Sequence, residues 1–511
     1  MARYAAIDIG SNSVRMQAAE AIPGSPHQIL ASDRQVTRLG ESVFRTGRIS
    51  TEAMDFLEGV LVQMATSYKR LDVLGVRAVA TAAVRDASNQ REFLERMSKA
   101  IGCPVEIISG MEEARLIHVG VQSTWPHPKQ RILIIDIGGG SMEMIHSEAG
   151  KIRDAFSKPL GAVRLTGVFL KSDPPAAREI HRMENYIDDR IEAAVGRIGK
   201  QKWDRVIGTS ATVSALVCAA NRVPRSRRDS ADRMRASTAQ VRNLFQSLSQ
   251  LDLGSRRKVT GIGARRAEII IAGSAALTHA LKSFGAASIY YSAAGVRDGI
   301  IADLATRGIS KELTRLSSDQ RRVVEEMALR YGVSIRHARK VASLAHSIFL
   351  GLHPLHRLSP DCGKLLEAAA YLHDTGHYVS DTRHHKHSYY LVANSDMAGF
   401  TDREREVIAN LCRYHRKAMP TVIHPHFLTL SAEEKRTTNL LVPILRLADA
   451  LDRSHDQRLR QVHCTVRAND VELELKSDAD IDLEQWAAER AGEAFKSVYN
   501  KTVTLSRVKE K

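Results

Sequence analysis

The chain has 511 residues, more than one ordinary domain holds, and 43% of them are hydrophobic and 26% charged, as in a globular protein. The sequence contains no run of about 18 uncharged apolar residues, so it does not indicate a membrane span. The segment from Met1 to Ile9 lacks the apolar core and cleavage site of a signal peptide. The five cysteines are scattered without a CxxC pair, which argues against zinc ribbons and disulfide scaffolds. We therefore expect a cytoplasmic protein without a membrane partner.

The net charge of +16 predicts an anionic partner. Specific nucleic-acid binding is not indicated, because aromatic residues make up only 5% of the chain and no helix-turn-helix, zinc-finger or RNP-like signature is present. Basic residues concentrate in two clusters, which are Arg225, Arg227, Arg228, Arg233 and Arg235, and Arg256, Arg257, Lys258, Arg265 and Arg266. The clusters are either a solvated surface or a track for a long polyanion, and the sequence leaves both interpretations open.

Over about the first 300 residues, short β-branched runs alternate with helical patterns, which predicts an α/β fold. The predicted strands are Tyr4–Ile9, Val73–Ala78, Val105–Ile108, Ile132–Ile137, Val206–Gly208 and Ser288–Tyr291. The predicted helices are Ser50–Tyr68, Asn89–Ile101, Glu112–Gln122 and Ala176–Ile198.

From Ser317 to about Leu451 helical periodicity predominates, which predicts an all-α part. After Gln461 the pattern changes again. Val471 begins a run that alternates apolar and acidic residues, and a segment rich in Ala and Glu follows, so we expect a small α+β appendage. The alternating run either supports a homodimer or forms a solvent-exposed hairpin.

One strand-and-turn motif occurs twice in the first half of the chain. Ala5–Ser13 and Ile134–Ser141 each consist of an apolar strand, an aspartate and a turn of small residues, about 130 residues apart. Repetition at this distance indicates two similar halves packed around a cleft. The small and polar residues of the turns are Gly10, Ser11, Asn12 and Ser13 in the first and Gly138, Gly139, Gly140 and Ser141 in the second.

These turns are predicted to bind phosphate. Their glycines can adopt positive φ and let backbone N–H groups converge on an anion, while the hydroxyls add donors. Asp8 and Asp136 would repel a phosphate directly, so we expect them to hold Mg²⁺, whose charge reverses the local sign. Glu143 follows Asp136 by seven residues, so its carboxylate can face the same phosphate. The alternative is a pair of tight turns without a ligand.

A third loop follows another predicted strand. It places hydroxyls at a predicted helix N-terminus, which is a ready anion site. Its residues are Gly208, Thr209, Ser210 and Thr212. By itself the pattern is equally typical of an ordinary N-cap.

Two adjacent glutamates begin the helix that follows Ser109. Ser109 and Glu112 match a capping box, which gives Glu112 a structural explanation. Glu113 shares a helix face with Leu116 and Ile117, so it should point inward, where desolvation raises a carboxyl pKa. A glutamate of this kind is suited to act as a general base. An ordinary buried or paired helix residue is the alternative.

These motifs resemble those of a known family. The segments Asp8–Val14, Ile108–Ile117, Asp136–Glu143 and Gly208–Thr212 are similar, in order, to the exopolyphosphatase / guanosine pentaphosphate phosphohydrolase family. The resemblance implies a duplicated actin-like (ribonuclease H-like) α/β fold, followed by an HD-type helical domain. The expected divisions are two actin-like subdomains at residues 1–125 and 126–305, the helical domain at 306–460 and the appendage at 461–511.

The resemblance also implies roles for individual residues. It places the family's catalytic glutamate at Glu113 and its second essential acid at Glu143. Arg85 matches an arginine that contacts phosphate and Arg164 is a weaker match, with a surface arginine as the alternative for both. The implied metal ligands are Asp8, Asp136 and Glu143, and the implied cofactor is Mg²⁺ or Mn²⁺.

The helical half contains an adjacent His-Asp pair at the end of an amphipathic segment. This pair, with a preceding histidine and a distant aspartate, resembles the HD phosphohydrolase superfamily, where the four residues ligate a divalent metal. The corresponding residues are His337, His373, Asp374 and Asp449, with His346 as an alternative first ligand and His384, His385, His387 and His415 as possible extensions. The alternative is a helical bundle whose histidines form hydrogen bonds or touch phosphate.

The predicted activity is magnesium-dependent exopolyphosphatase, in which a Glu-activated water removes terminal phosphates processively from inorganic polyphosphate. Hydrolysis of guanosine pentaphosphate at its 5′ end is the close alternative. Transfer of polymer phosphate to a nucleoside diphosphate, or a regulator that binds phosphates without turnover, also fits the motifs. We expect the partners to be polyphosphate or guanosine pentaphosphate and a second copy of the chain.

Overall fold

The computed structural model describes residues 2–22, 25–309, 314–421 and 423–508. They form two compact units, Met1–Ile309 and Ser310–Lys511. Within these residues no helix has the length and apolarity needed to cross a membrane.

The first unit alternates strands and helices. Its strands are β1 (Ala2–Ile9), β2 (Ser13–Ala21), β3 (Gln28–Val36), β4 (Gly75–Ala80), β5 (Val105–Ile107), β6 (Arg131–Ile137), β7 (Met142–Glu148), β8 (Lys151–Lys158), β9 (Arg205–Thr209), β10 (Arg235–Ser237) and β11 (Ser288–Tyr291). Its helices are α1 (Leu39–Thr46), α2 (Thr51–Lys69), α3 (Ala82–Asp86), α4 (Gln90–Ile101), α5 (Gly110–Thr124), α6 (Ala162–Phe169), α7 (Ala177–Ile198), α8 (Ser210–Ala220), α9 (Thr238–Ser249), α10 (Leu253–Arg256), α11 (Ala264–Ala267), α12 (Ile270–Ser283) and α13 (Val296–Ile309), with a 3₁₀ helix at Arg225–Ala231.

The same strand order occurs in both sheets of this unit. The first sheet has the order β3-β2-β1-β4-β5, and the second has β8-β7-β6-β9-β11 with β10 beside β11. In each, the first three strands pair antiparallel and the fourth and fifth run parallel to the first. This repetition is the duplicated actin-like topology predicted for the N-terminal half.

All strands and helices predicted from sequence in this unit are present, with ends that differ by at most two residues. The prediction missed β2, β3, β7, β8 and the short strand β10. The strands β3 and β8 form sheet edges and are largely polar and partly exposed, so no apolar run marks them. The missed strands β2, β3, β7 and β8 form the antiparallel half of each sheet.

Both faces of β1 are covered by helices. Ala5 and Ile7 belong to one apolar core on the side of α2 and α4, whereas Tyr4 and Ala6 pack with Ile300 of α13 on the other side. Alternating side chains point to opposite faces of a strand, so a strand covered on both sides is apolar throughout. As a result the aspartate near its end lies in a buried environment.

Two glycines allow α5 and α13 to cross at backbone contact. A Cβ atom on Gly299 would overlap the carbonyl of Leu116, and one on Gly120 would overlap the backbone at Gly295 and Gly299. Glycine is required here for close approach, not for an unusual φ. The crossing fixes the position of α5, the helix that carries Glu113, relative to α13.

Gly299→Ala is expected to lower the free energy of unfolding by about 1–3 kcal/mol, as overpacking of a filled contact does. Gly59→Ala in α2 is the matched control, because no atom lies within 4 Å of its added Cβ. That control should raise stability by about 0.5–1 kcal/mol through helix propensity. Denaturant unfolding of the two variants measures both, and equal changes would contradict the backbone contact.

The second unit is mainly helical. Its helices are α14 (Ser318–Arg330), α15 (Ile335–Gly351), α16 (His353–His356), α17 (Asp361–Leu372), α18 (His384–Ala393), α19 (Asp402–Tyr414), α20 (Pro425–Leu428), α21 (Ala432–Ala450) and α22 (Asp482–Tyr499), with a 3₁₀ helix at Thr375–Tyr378. Its strands are β12 (Gln461–Val466), β13 (Asp470–Lys476) and β14 (Thr502–Val508).

The alternating run near Val471 forms β13, the central strand of the sheet β12-β13-β14. Val471, Leu473 and Leu475 are buried in the same apolar core as the helices of this unit. The run is therefore not a solvent-exposed hairpin. Its apolar residues are used inside the unit, so they offer no support for the predicted homodimer.

Candidate active site

The two predicted phosphate loops are β-hairpin turns of the same construction. β1 leads into β2 through a turn in which Gly10 N–H donates to Ser13 O at 3.1 Å. β6 leads into β7 through a turn in which Gly138 N–H donates to Ser141 O at 3.0 Å. The N–H groups of the first glycines thus close the turns and are not free for an anion.

The carbonyl groups of each turn are bound by the start of a following helix. Val163 N–H, at the start of α6, donates to Gly139 O at 2.9 Å, and Gly40 N–H in α1 donates to Ser11 O at 2.7 Å. Since the carbonyls point to these helices, the opposite side of each turn carries its N–H groups. Within the described chain, the N–H groups of Gly139 and Gly140 donate to no backbone acceptor, so they can bind an anion.

Two of the turn glycines, Gly139 and Gly140, are needed for close packing between the two turns. A Cβ on Gly140 would come within 2.6 Å of Ser11 Oγ, 2.7 Å of Ala82 Cβ and 2.8 Å of Phe44 Cζ. A Cβ on Gly139 would lie 3.0 Å from Ser11 Cβ. None of the four turn glycines has a φ in the left-handed region, so the prediction of positive φ is wrong. The requirement is space, because the turns lie against one another.

Four carboxyl groups gather beside these turns. Asp136 on β6 lies directly opposite Glu143 on β7 in the strand register. Glu143 is fully buried and its Oε1 accepts a hydrogen bond from Ser157 Oγ at 2.7 Å. Asp8 and Glu113 line the same cavity as Asp136. The sequence predicts Asp8, Asp136 and Glu143 as metal ligands and Glu113 as the general base.

Burial and mutual proximity raise the pKa values of these carboxyl groups. Burial raises the pKa of Glu113 to about 7; Arg85, whose Nη1 lies 3.6 Å from Glu113 Oε2, lowers it in part, while Asp8 and Asp136 raise it further. Burial raises the pKa of Asp136 to about 6 and also raises that of Asp8. Burial and then the neighbouring Glu113 hold the pKa of Glu143 well above its usual value.

The chemistry of this cluster suits a cation, although its acids are not among the groups of described residues whose ligand atoms lie within 4.8 Å of one another. Glu113 Oε2 and Glu143 Oε2 are buried and have no hydrogen-bond partner among the described residues. Oxygen donors from carboxylates suit Mg²⁺ or Mn²⁺. A divalent ion near Asp8, Asp136 and Glu143 would offset the repulsion that raises their pKa values.

The adjacent glutamates Glu112 and Glu113 differ in surroundings. Ser109 Oγ accepts a hydrogen bond from Glu112 N–H at 3.2 Å, as the cap predicts. The Glu112 carboxylate lies 2.7 Å from Arg115 and 3.3 Å from Arg77, within a buried ion-pair group. Burial by itself would raise the pKa of Glu112, but Arg115 and Arg77 hold that pKa below its usual value. Glu112 is thus a structural anion, while Glu113 faces the cavity.

The cavity beside the carboxyl group cluster has a volume of about 590 Å³. Its lining includes the arginines Arg15, Arg34, Arg228, Arg233, Arg266 and Arg297. A side pocket of about 150 Å³ shares Asn12, Arg34 and Arg266 with it and adds Arg225 and Arg265. None of the four carboxylates lines the side pocket. The acids and the side pocket therefore lie at different parts of one polar cavity.

These arginines lack enough counter-charge. Burial, followed by repulsion from Arg15 and Arg266, lowers the pKa of Arg34 to about 9. Burial, followed by repulsion from Arg15, Arg225 and Arg228, lowers the pKa of Arg266 to about 10. Buried guanidinium groups that repel one another are stabilised by an anion between them.

The two predicted basic clusters divide between the site and the scaffold. Arg228, Arg233 and Arg266 line the cavity. Arg256 is instead buried and pairs with Asp173 at 2.7 Å. Neither a purely solvated surface nor a continuous track describes both clusters.

Equivalent positions of the two hairpins carry opposite charges. In the second half Asp136 lies opposite Glu143, and Glu143 lies opposite Ser157. In the first half Asp8 lies opposite Arg15, and Arg15 lies opposite Arg34. Both hairpins therefore carry an aspartate at the cavity, but the position opposite it is the buried Glu143 in the second hairpin and the cavity-lining Arg15 in the first.

The third predicted loop contributes unequally. Thr209 Oγ1 donates a hydrogen bond to Asp136 Oδ2, and Ser210 lines the cavity with a φ of 75°. Such a φ is uncommon outside glycine and costs free energy, which is typical of functional loops. Gly208 makes room for Val213, and Thr212 is fully buried, so neither lines the cavity.

The two predicted phosphate-binding arginines lie behind the cavity lining. Arg164 Nε donates to Gly140 O at 2.8 Å, and its guanidinium group pairs with Asp86 at 2.5 Å. Arg85 Nη1 donates to Ile108 O at 2.7 Å beside Glu113. Arg164 thus fastens the glycine turn, and Arg85 holds the start of α5.

Sequence reasoning missed Arg15, Arg34 and Arg297 in the cavity lining. A signal for Arg15 was present, since it follows Asp8 by the same seven residues that separate Asp136 and Glu143. Arg34 lies on an edge strand that no apolar pattern marks.

Two family profiles match the chain. The profile of the Ppx/GppA phosphatase family matches residues 18–307, more than half of the chain. The profile of Ppx/GppA phosphatase domain III matches residues 320–490. The chain belongs to the Ppx/GppA phosphatase family.

Solved structures of Ppx/GppA proteins resemble the chain. A structure of the Aquifex aeolicus PPX-GPPA enzyme is 29% identical, with a TM-score of 0.51, and covers 59% of this chain and 99% of its own. An exopolyphosphatase-like protein is 26% identical, with a TM-score of 0.57 over 60% of this chain and 99% of its own. An exopolyphosphatase from Cytophaga hutchinsonii ATCC 33406 is 25% identical, with a TM-score of 0.54 over 60% and 99%. Membership in this phosphatase family supports the predicted hydrolase class.

Proposed function

We propose that the chain is a magnesium-dependent exopolyphosphatase. The observation that carries the proposal is a single cavity lined by a buried group of carboxylates at the glycine turns and by six arginines, of which Arg34 and Arg266 repel their neighbours. Carboxylates suit a cation and a water nucleophile, while arginines suit the phosphates of a polyanion. A terminal phosphate beside the acids and the remaining chain beside the arginines uses both.

Glu113 is proposed as the general base. Its raised pKa gives a carboxylate that accepts a proton near neutral pH. Glu113 orients a water for in-line attack on the terminal phosphorus and takes its proton, while the bond to the bridging oxygen breaks. The N–H groups of Gly139 and Gly140 and the Ser141 hydroxyl hold the phosphate that is being released.

Asp8, Asp136 and Glu143 would hold the divalent ion. When bound, Mg²⁺ neutralises the charge of the reacting phosphate. Thr209 keeps Asp136 in place by its hydrogen bond, and Ser157 does the same for Glu143. The leaving chain is a stabilised phosphate anion, so it needs little acid assistance.

A long phosphate chain is favoured over a nucleotide as the substrate. The side pocket extends the cavity with Arg225 and Arg265, which a linear chain can occupy. Trp125 lines the cavity, but the guanidinium groups of Arg205 and Arg233 already lie over its indole ring, 4.5 and 5.3 Å from the ring centroid. That leaves little of the ring for stacking by a guanine base.

The test is phosphate release from long-chain polyphosphate with Mg²⁺, with the products resolved by chain length. Loss of one phosphate at a time from the chain end is the expected result. Guanosine pentaphosphate and ADP are added in parallel arms. Exclusive turnover of the nucleotide would favour the second candidate, and ATP formation from ADP would indicate a phosphotransferase. Absence of release in every arm would refute the proposal.

Arg225→Gln is expected to raise KM for long polyphosphate about 2- to 5-fold with little change in kcat, because an exposed charge contact contributes up to ~1 kcal/mol. Arg227→Gln is the matched control, since Arg227 is exposed and lines neither the cavity nor its side pocket. Steady-state kinetics at low and high salt measure the difference. Equal KM values for the two variants would remove the side pocket from the substrate path.

A further inference from the structure

The glycine turn that joins β6 to β7 lies directly on the first residues of α6. A Cβ on Gly161, the N-cap of α6, would lie 2.3 Å from the carbonyl carbon of Gly139. Ala162 N–H donates to Gly138 O at 3.0 Å, and Val163 N–H donates to Gly139 O at 2.9 Å. The first N–H groups of α6 are therefore bound to the carbonyl groups of the turn.

Arg164 binds the next carbonyl group of the turn. Its Nε donates to Gly140 O at 2.8 Å, so three consecutive carbonyl groups, from Gly138 to Gly140, are bound on one side. In a planar trans peptide the C=O and the N–H of the same peptide group point in opposite directions. The N–H groups of Gly139, Gly140 and Ser141 therefore point to the other side, where these residues line the cavity.

The N–H group of Ser141 is available to a ligand. Among the described residues it donates to no backbone acceptor, as is also the case for Gly139 and Gly140. Successive N–H groups that converge in a turn form an anion-binding concavity. A hydrogen bond accepted at the carbonyl of a peptide group also polarises that group, which strengthens its N–H as a donor. The turn thus offers three backbone donors to one phosphate.

The guanidinium group of Arg164 is fixed by two residues from the other half of the duplicated fold. It pairs with Asp86, at the end of α3, at 2.5 Å, and it lies over the ring of Phe44, on α1, 3.9 Å from the ring centroid. The Arg164 side chain is 18% exposed and lines neither the cavity nor its side pocket. These contacts are those of a group that supports the turn from behind, not of one that touches a phosphate in the cavity.

We infer that Arg164 is a positioning residue. It holds the peptide group between Gly140 and Ser141 so that Ser141 N–H becomes the third backbone donor to a terminal phosphate group or to free orthophosphate. This role differs from the direct contact with phosphate that the resemblance implies for Arg164. The inference rests on the proposed function for the reaction that the turn serves, whereas binding of orthophosphate at the turn is measured without any turnover.

Nuclear magnetic resonance of the full-length protein tests the donor. Labelling with [1-¹³C]glycine and [¹⁵N]serine selects the Gly-Ser peptides, of which the chain has five, and the signal that is absent in Ser141→Ala is that of Ser141. Inorganic phosphate is titrated with MgCl₂ present. We expect the Ser141 amide proton to move downfield in the native protein and to move clearly less in Arg164→Met. An unmoved Ser141 signal in the native protein, or an equal shift in the variant, would overturn the inference.

Steady-state kinetics with long-chain polyphosphate test the positioning role. Arg164→Met keeps an apolar stem over Phe44 but lacks the donor to Gly140 O. Loss of an oxyanion donor lowers kcat about 10²–10³-fold, so a donor that is only misoriented should lower it about 10-fold. KM should change less than about 2-fold, because Arg164 lies outside the cavity. A native kcat with a raised KM would indicate direct contact with the polymer and would overturn the positioning role.

Arg96→Met is the matched control. Arg96, on α4, likewise joins two groups, since it pairs with Asp55 and Glu58 of α2, and it does not line the cavity. This variant should keep the native kcat and KM per folded molecule. An equal fall of kcat in Arg96→Met and Arg164→Met would assign the effect to general destabilisation and overturn the inference.

Asp86→Asn tests the same point if Arg164→Met does not fold. Asp86 is exposed, and loss of its charge releases the guanidinium group of Arg164 without removing it. We expect kcat to fall about 2- to 5-fold, the size of effect that a partly exposed ion pair gives, and a native kcat would contradict the role of Arg164. If no polyphosphate is hydrolysed at all, the proposed function fails, while the phosphate titration still decides the inference.

Discussion

Glu113→Gln is expected to slow phosphate release at least ~100-fold, the usual contribution of a general base. The amide keeps the shape of the side chain but cannot take a proton from water. Burial raises the pKa of Glu113 to about 7, so ionisation at this position is unfavourable to folding and the melting temperature should not fall. Single-turnover phosphate release at pH 8 and calorimetry measure the two effects. Turnover near the native value would refute the assignment.

Glu112→Gln is the matched control, one position earlier on the same helix. The Glu112 carboxylate pairs with Arg115 and Arg77 within the protein. Breaking a buried ion pair costs about 3–5 kcal/mol, so the free energy of unfolding should fall while turnover per folded molecule stays close to native. If both variants lose activity and stability in the same proportion, the division between structural and catalytic glutamate is incorrect.

Asp136→Asn is the second substitution with a large expected effect. It removes one negative charge from the proposed Mg²⁺ site, while the amide oxygen can still accept the hydrogen bond from Thr209. We expect activity to fall at least ~100-fold, which corresponds to about 2.7 kcal/mol of lost charge stabilisation. In the native protein, Mg²⁺ at about 100 times its Kd should stabilise the fold by about 2.7 kcal/mol. The variant should lose most of this increase.

Calorimetry with and without MgCl₂, together with phosphate release, checks this prediction. Asp188→Asn provides the comparison, because Asp188 is exposed on α7 and pairs with His279 outside the cavity. That variant should keep both the activity and the response to Mg²⁺. A native response to Mg²⁺ in Asp136→Asn would exclude this aspartate as a ligand.

Local patterns predicted the parts of the fold that depend on local chemistry. β1 and β6 are apolar runs that end in an aspartate and a small-residue turn, so both were recognisable from neighbouring residues. The inward position of Glu113 followed from the 3.6-residue period of its helix. The reason for the glycines was not accessible, because the contact between Gly140 and Ser11 joins turns far apart in the chain.

The arginines that line the cavity could not be assigned to one site from local sequence patterns. Arg34 lies on an edge strand and Arg266 on the short helix α11, more than 200 residues later in the chain, and nothing near either residue indicates a common cavity. Only the pairing of β2 with β3 brings Arg34 beside Arg15. Side chains that meet through sheet register and long-range packing cannot be assigned to one site by spacing in a single sequence.

The opposite charges of the two hairpins also bear on the direction of the reaction. Two identical hairpins would form a cleft with equivalent sides. A phosphate chain would then bind with the same free energy in either direction. With Glu143 on one hairpin and Arg15 at the matching position of the other, the cleft has a polarity. A chain bound as proposed leaves its end at the acids and its length at the arginines, so attack at an internal bond is disfavoured. Divergence of one duplicated residue pair would thus produce the proposed preference for chain ends.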